Sequence, residues 1–321
     1  MSGKLVVHIP SLPMAQRERI SAAAAAKGLV LCFADDMQDA LREAADAEIL
    51  FTQAAGLAKA APRLKWLCTP SAGVNNFTGP EVFASPEAAL SNSSGAYGTT
   101  IAEHIVMVTL NMMRRLPEYD EIVARREWTR NLPIRSIRDC RVTLLGTGDI
   151  GQEAALRLRA FSPACLIGVN RRGRNPGDMF DRVVPLAELD GILPETDLLI
   201  LSLPGTAETE HLMDERRLRL LPRDAYLVNV GRGTVVDQKA LEALLRAGHL
   251  AGAALDVFEQ EPLPQADSMW ECPRTLITPH VAGNMTLPYT VEKITSLFLE
   301  DLDRYCAGEP LRRLVDRSQG Y

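Results

Sequence analysis

Several signals are missing from this chain, and each absence narrows what it can be. There is no CxxC and no Cys/His cluster. Cys32, Cys68, Cys140, Cys165, Cys272 and Cys306 are scattered over 321 residues, which reads as small core or surface residues in a reducing compartment, not disulfides or metal ligands. No basic tail or stripe accompanies the formal charge of −6 and isoelectric point near 5.5, so no nucleic-acid partner is expected. No membrane partner is expected either: the most apolar helix, around Ile101–Met113, is too short to span a bilayer and carries Glu103 and His104. No signal-peptide core precedes the strand-like LVVHI that begins at Leu5. There is no internal repeat beyond a strand–helix period, and the Ala22–Ala26 run is simply a strong helix former. A cytoplasmic enzyme is the expected class.

What is present is an alternation of apolar strands and helices on a chain long enough for two domains, each with its own core. In the first hundred residues LVVHI, LVLCF, EILFT and WLCTP are separated by helical stretches, one ending in the alanine run and Gly28, another over Asp36–Ala45. Such alternation implies a parallel sheet. A glycine-bearing loop, Ser71–Asn75, follows the strand that ends at Pro70. A long amphipathic helix is predicted over roughly Tyr97–Leu116, a second from Pro117, and an irregular polar segment over Arg125–Arg138. A second alternating unit starts at Arg141 with RVTLLG, CLIGVN and DLLILSLP and continues to His280, before a last helix near Pro288–Tyr305.

Gly146-Thr147-Gly148-Asp149-Ile150-Gly151 fits the GxGxxG pattern. It follows the apolar strand Val142–Leu145 and opens an amphipathic helix, the context a dinucleotide-binding fingerprint requires. Gly146 is expected to make the tight turn, Gly148 to let the backbone approach a pyrophosphate, and Gly151 to let the helix pack close to the strand. The amides near Asp149 and Ile150 then face the phosphates at the positive end of the helix, with the Asp149 side chain turned to solvent.

The segment Asn229–Asn284 reads NVGRGTVVD, LDVFEQEPLP and TPHVAGN, placing Arg232, Glu261 and His280 in that order. Each lies beyond a short apolar run read as a buried parallel strand, over Tyr226–Val230, Gly252–Val257 and Thr275–Thr278. Open α/β sheets put ligands beyond the carboxyl ends of such strands. Arginine, carboxylate and imidazole are the parts needed to hold a 2-oxo acid and protonate its carbonyl oxygen. Arg232 offers a fork for carboxylate and carbonyl oxygen together. His280 acts as acid or base, with Glu261 on its other ring nitrogen fixing the tautomer. His8, His104, His211 and His249 sit in strand-end, helix or turn contexts and read as surface or satisfied residues; Glu103 reads as structural.

In order, spacing and flanking words these motifs resemble the D-isomer-specific 2-hydroxyacid dehydrogenases over almost the whole chain. The resemblance implies an α/β fold of two Rossmann-like domains with doubly wound parallel sheets, the cofactor domain inserted into a flavodoxin-like substrate domain. The expected boundaries are 1–95 plus 288–321 for the substrate domain and 96–287 for the cofactor domain. It implies hydride transfer between a nicotinamide cofactor and a 2-oxo or 2-hydroxy acid. Gly73 and Val74 would hold a substrate carboxylate oxygen with their amides, and Arg232 and His280 would border both substrate and cofactor. Further cofactor contacts carried by the resemblance are Pro204, Thr209, Val230, Asp256 near the nicotinamide amide, and Gly283. Gly205 departs from the larger apolar residue common after that proline. Where the family usually has an acidic residue for the adenine ribose, this chain has Asn170 followed by Arg171 and Arg172, with Arg174 close by. That change points to NADP(H), with NAD(H) as the alternative. Glu261 speaks against a formate dehydrogenase, whose equivalent is glutamine. Only 41 residues follow His280, so the regulatory extension of many phosphoglycerate dehydrogenases is not expected. Glyoxylate or hydroxypyruvate is the leading substrate and a bulkier 2-oxo acid the alternative. The rival from another class is a corepressor-like binding module, which usually carries long disordered extensions. A homodimer is expected, with the helix from Tyr97 and the Pro117–Arg138 segment at its interface and Trp128 a candidate to line a pocket.

Overall fold

A computed structural model describes residues 3–79, 81–317 and 319. The chain divides into two compact units, Met1–Ala96 with Met285–Tyr321, and Tyr97–Asn284. In the first unit the alternation becomes β1 (Lys4–His8), α1 (Met14–Ala26), β2 (Val30–Phe33), α2 (Met37–Ala44), β3 (Ile49–Thr52), α3 (Ala55–Lys59), β4 (Trp66–Cys68) and β5 (Ala89–Ser91). The strands form one parallel sheet in the order β2-β1-β3-β4-β5, the doubly wound order of flavodoxin-like folds. Continuous apolar runs make this possible: β3 is buried at every position, as strands covered on both faces must be. Gly28, at φ +65, ends α1 by turning the chain left-handed, and the Leu29 amide donates back to the Ala24 carbonyl.

The helix Pro288–Cys306 returns to this unit. Its Phe298 stacks on Phe51 at 4.1 Å and on Trp66 at 5.5 Å between ring centroids, all three fully buried. Trp66 Nε1 donates to Ser91 Oγ at 2.9 Å, linking that stack to the edge strand. Beyond the helix, the Val315 amide donates to the Leu90 carbonyl, so the last described segment lies along β5.

The second unit runs α4 (Gly98–Met113), α5 (Leu116–Ala124), β6 (Arg141–Leu145), α6 (Asp149–Arg159), β7 (Cys165–Asn170), β8 (Arg182–Pro185), α7 (Leu189–Ile192), β9 (Leu198–Leu201), α8 (Glu215–Leu220), β10 (Tyr226–Asn229), α9 (Gln238–Arg246), β11 (Gly252–Leu255) and β12 (Thr275–Ile277); the returning helix is α10. Its seven strands are all parallel, in the order β12-β11-β10-β9-β6-β7-β8. The order reverses between β6 and β9, which is where doubly wound sheets open a crevice for ligands. Asp214 and Asp237 cap α8 and α9 by accepting the amides of Arg217 and Ala240, satisfying donors that a helix start leaves open.

One helix boundary differs from the expectation. The helix predicted over Tyr97–Leu116 stops at Met113, because Arg115 adopts φ +57 and breaks the ladder; Leu116 opens α5, with Pro117 in its first turn. Proline is tolerated there because its missing N–H has no partner to lose. The segment after α5 is irregular up to β6, with left-handed residues at Arg126 and Asn131.

Candidate active site

Register explains how residues far apart in sequence meet. Asn229 of β10 pairs with Leu255 of β11, and Leu255 pairs with Ile277 of β12. The loops that leave these three neighbouring strand ends carry Arg232, Glu261 and His280. His280 Nδ1 lies 2.6 Å from Glu261 Oε2, and the other carboxylate oxygen, Oε1, accepts the Phe258 amide at 2.9 Å. Glu261 is thus held at both oxygens. Because a carboxylate accepts, Nδ1 carries a proton and Nε2 is the nitrogen left for chemistry. His280 is half exposed and Glu261 about one-third exposed.

The backbone around His280 is bent for this purpose. His280 has φ +55, a left-handed conformation uncommon outside glycine. Its amide donates to the carbonyl oxygens of Asp256 (2.9 Å) and Thr278 (3.0 Å). The buried Asp256 side chain closes the turn: Oδ1 accepts Thr278 Oγ1 at 2.6 Å and the Val281 amide at 2.9 Å, and Oδ2 accepts the Ala282 amide at 3.0 Å. The carboxylate oxygens of Asp256, which the family resemblance places near a nicotinamide amide, thus organise the turn that presents His280.

Arg232 sits between two glycines for steric reasons that the sequence reading missed. A Cβ at Gly231 would come within 2.6 Å of the Leu203 carbonyl oxygen, and one at Gly233 within 1.8 Å of the Phe258 carbonyl carbon. The loops after β9 and β11 therefore close on the Arg232 turn from both sides. Val230 is buried just before it and donates its amide to the Leu201 carbonyl. Burial pushes the Arg232 guanidinium below the ordinary arginine value, while the charge of Glu261 opposes the shift. Its Nη1 donates to the Gly231 carbonyl at 2.7 Å, and Asn229 Nδ2 donates to the Arg232 carbonyl at 3.0 Å. Gly205 also has a reason: a Cβ there would stand 3.2 Å from Arg232 Cγ, so the bare backbone makes room for the arginine stem.

The glycine loop lies on the other side of the crevice. Gly146 has φ +106, and a Cβ on it would meet Ser202 Oγ at 2.7 Å; a Cβ on Gly151 would fall 2.1 Å from the Gly146 carbonyl oxygen. Turn and close helix packing therefore both demand glycine. Gly148, at the N-cap of α6, has nothing within 4 Å of its Cβ position. Open space over a helix N-terminus suits a phosphate, so these residues fit a dinucleotide. Asp149 is exposed, but it is not simply turned to solvent as predicted. A Cβ on Gly98 would lie 2.5 Å from its Oδ2, which puts the carboxylate at the start of α4, where the helix dipole favours negative charge. Ile150 is half-buried in the first turn of α6.

Asn170 ends β7 and is fully engaged: Nδ2 donates to Thr147 Oγ1 and to the Arg174 carbonyl, both at 2.8 Å, and Oδ1 accepts the Arg172 amide at 3.1 Å. It shapes the basic loop and ties it to the glycine loop. Arg171 is exposed and reaches Glu208 at 3.2 Å, while Arg172 is also exposed. Thr209 Oγ1 donates to the Pro204 carbonyl at 2.6 Å and accepts the Thr206 amide at 2.9 Å, so it closes the loop after β9. A Cβ on Gly283 would meet Ile101 Cδ1 at 2.9 Å, which packs the chain beyond His280 against α4.

Gly73 and Val74 belong to the first unit. The Val74 side chain is buried in that unit's core, and the loop is held by the Ser93 amide on the Ser71 carbonyl (3.0 Å) and Asn92 Nδ2 on the Ala72 carbonyl (2.8 Å). Among the described residues no group of His, Cys, Asp and Glu side chains is arranged to hold a metal ion, and no helix is long and apolar enough to cross a membrane.

The sequence profile described as D-isomer specific 2-hydroxyacid dehydrogenase, NAD binding domain, matches residues 106–282. A glyoxylate reductase of Thermofilum pendens is 34% identical over 233 residues, covering 70% of this chain and 67% of its own. Among solved structures, a D-isomer specific 2-hydroxyacid dehydrogenase family protein from Aeromonas salmonicida superposes with a TM-score of 0.87 at 32% identity, covering 99% of this chain and all of its own. An NADPH-dependent glyoxylate/hydroxypyruvate reductase from Sinorhizobium meliloti, solved with NADP and sulfate, superposes with a TM-score of 0.82 at 27% identity over the full length of both chains.

The glycine geometry separates two roles. Gly148→Ala should leave the melting temperature near that of the parent while weakening dinucleotide binding by about 1–3 kcal/mol, the cost of a crowded methyl group, or roughly 5- to 150-fold. Gly151→Ala should lower melting temperature and binding together. Calorimetric titration and thermal melts of the two variants check this; a Gly148→Ala protein that binds as the parent does would show that no backbone approach occurs there.

Proposed function

Because the chain belongs to the D-isomer-specific 2-hydroxyacid dehydrogenase family, we propose that it reduces glyoxylate or hydroxypyruvate to the corresponding 2-hydroxy acid, with NADPH preferred. The observation that carries this reading is the His280–Glu261 pair at 2.6 Å beside the half-buried Arg232. A bound nicotinamide dinucleotide supplies the hydride and takes it back in the reverse direction. The rest is done by side chains. Arg232 binds the carboxylate and the adjacent carbonyl oxygen of the oxo acid and draws electron density from C2. His280 Nε2 donates a proton to that oxygen as it becomes an alkoxide. Glu261 keeps Nδ1 protonated and stabilises the imidazolium that makes the donation. The amides of Gly73 and Val74, in the first unit, are assigned to the carboxylate on the family resemblance. Gly146, Gly148, Ile150 and Gly151 are assigned to the pyrophosphate, and Pro204, Thr209, Val230 and Gly283 line the proposed nicotinamide side.

The test of the reaction is consumption of NADPH with a panel of 2-oxo acids. His280→Gln should lower kcat by at least ~10² with cofactor affinity kept. Glu261→Gln should lower kcat with cofactor affinity kept, because the ring loses the carboxylate that fixes its tautomer and orientation. Absence of turnover with any 2-oxo acid would overturn the reading, and near-normal turnover in His280→Gln would remove that residue from the chemistry.

Cofactor preference rests on the basic loop. Asn170 places no carboxylate against a 2′-phosphate, and the exposed Arg171 and Arg172 flank it. Two charge-assisted contacts outweigh the exposed Arg171–Glu208 pair, which is worth ~1 kcal/mol or less. The expected preference for NADPH is ~2 kcal/mol, about 30-fold in kcat/KM, and it should fall in the Arg171→Ala/Arg172→Ala double variant. Equal kcat/KM with NADH in the unmodified protein would contradict it.

We also propose a cytoplasmic homodimer. Trp128 is 91% exposed and Val123 68%, with Leu116, Ile134 and Met107 each about half exposed; so much apolar surface along α4, α5 and the following segment fits an interface. Light scattering at micromolar concentration should give twice the monomer mass, and Trp128→Glu with Val123→Glu should shift it to the monomer.

A further inference from the structure

The turn that presents His280 is shaped from behind, and the group at the back is a histidine that the chemistry above does not use. Thr278 has one hydroxyl proton, and Asp256 Oδ1 accepts it at 2.6 Å. A carboxylate that also accepts the Val281 and Ala282 amides has no proton of its own to offer that hydroxyl. The Thr278 oxygen therefore faces any further partner as an acceptor. His104 Nε2 lies 3.4 Å from it, brought there by α4, which packs against β10 and β11. Burial pushes the His104 imidazole below its ordinary value, and the charge of Asp256 opposes that shift. A single proton on Nε2 meets the geometric requirement.

We propose that His104 is a positioning residue for proton transfer: its Nε2–H donates to Thr278, which is thereby oriented to give its own proton to Asp256, the carboxylate that holds the Val281 and Ala282 amides and so the left-handed backbone of His280. The proposal rests on the reading of His280 as proton donor. It makes His104 part of a line, His104–Thr278–Asp256–turn, in which each hydrogen bond fixes the direction of the next. Without the imidazole N–H, the hydroxyl gains rotational freedom, Asp256 Oδ1 loses a directed donor, and the turn closes less firmly.

Hydrogen exchange on the full chain reads the turn without any turnover. In His104→Leu the amides of Val281 and Ala282 should exchange about fivefold faster, the size of one net hydrogen bond. His104→Gln keeps an N–H donor and should return exchange to within about twofold of the parent. In steady state, kcat with the oxo acid should fall in His104→Leu by the same factor, with KM for the dinucleotide unchanged, and recover in His104→Gln. Thr278→Val cuts the line at its middle and should match His104→Leu; combining the two should add nothing, as expected of residues acting through one path. Unchanged exchange in His104→Leu, equal acceleration in the Leu and Gln variants, faster exchange with an unaltered kcat, or additive effects of His104→Leu and Thr278→Val would each overturn the proposal. If no 2-oxo acid is turned over at all, the reading of His280 fails, while the exchange of the Val281 and Ala282 amides still judges the line from His104.

Discussion

Neighbouring strands of a parallel sheet end on the same side, and the second unit is built on that constraint. From β7 through β6, β9, β10 and β11 to β12, six adjacent strands deliver their loops along one edge. In that row stand Asn170, the glycine loop, Pro204, Arg232, Glu261 and His280. The strand order sets their sequence along the edge, so Arg232, Glu261 and His280 stand together at the β10–β12 end, and the glycine loop and Asn170 stand beyond the β6–β9 reversal. Hydrogen bonds from strand end to loop continue the register outward: the Ser202 amide on the Leu145 carbonyl, the Asp256 amide on the Asn229 carbonyl and the Thr278 amide on the Leu255 carbonyl.

Two kinds of local device convert this edge into a site. One is steric. Gly231 and Gly233 let the backbones of the neighbouring loops touch the Arg232 turn, so the short segment that carries the charged side chain is fixed by main chain on both sides. The other is electrostatic. Asp256 spends its carboxylate on a hydroxyl and two amides, and Glu261 spends one oxygen on the Phe258 amide and the other on His280. The carboxylates of Asp256 and Glu261 are both engaged within the protein, which fixes the geometry of the imidazole and leaves its Nε2 as the available nitrogen.

The cofactor side shows a competition. Asn170 organises its loop through three hydrogen bonds, leaving the arginines that follow it at the surface. Glu208, from the loop after β9, meets Arg171 there. This carboxylate near the basic loop tempers the positive field that a phosphate would feel, and solvent screening keeps that tempering weak.

The βα alternation, the three glycines of the fingerprint and the order of Arg232, Glu261 and His280 were legible in the chain because they depend on local patterns: apolar runs of strand length, a turn that admits only glycine, and polar residues just past strand ends. The end of α4 at Met113 instead of Leu116 was not, since a left-handed Arg115 leaves no mark that periodicity detects. Nor were the partners of Asp149 and Asp256 legible. Gly98 beneath Asp149, and Thr278, Val281 and Ala282 around Asp256, are brought near by helix packing and strand register across gaps of 22 residues or more. His104 looked like one more helix residue until α4 laid it against β11. The glycines on both sides of Arg232 were a signal in plain view, because a charged residue flanked by glycine implies backbone approach from two sides, yet which backbones approach depends on which strands are neighbours. Sequence determined which groups are available and at which strand ends they stand. Only the tertiary structure decided what each one faces, because hydrogen bonds and steric contacts depend on distances that a linear order does not contain.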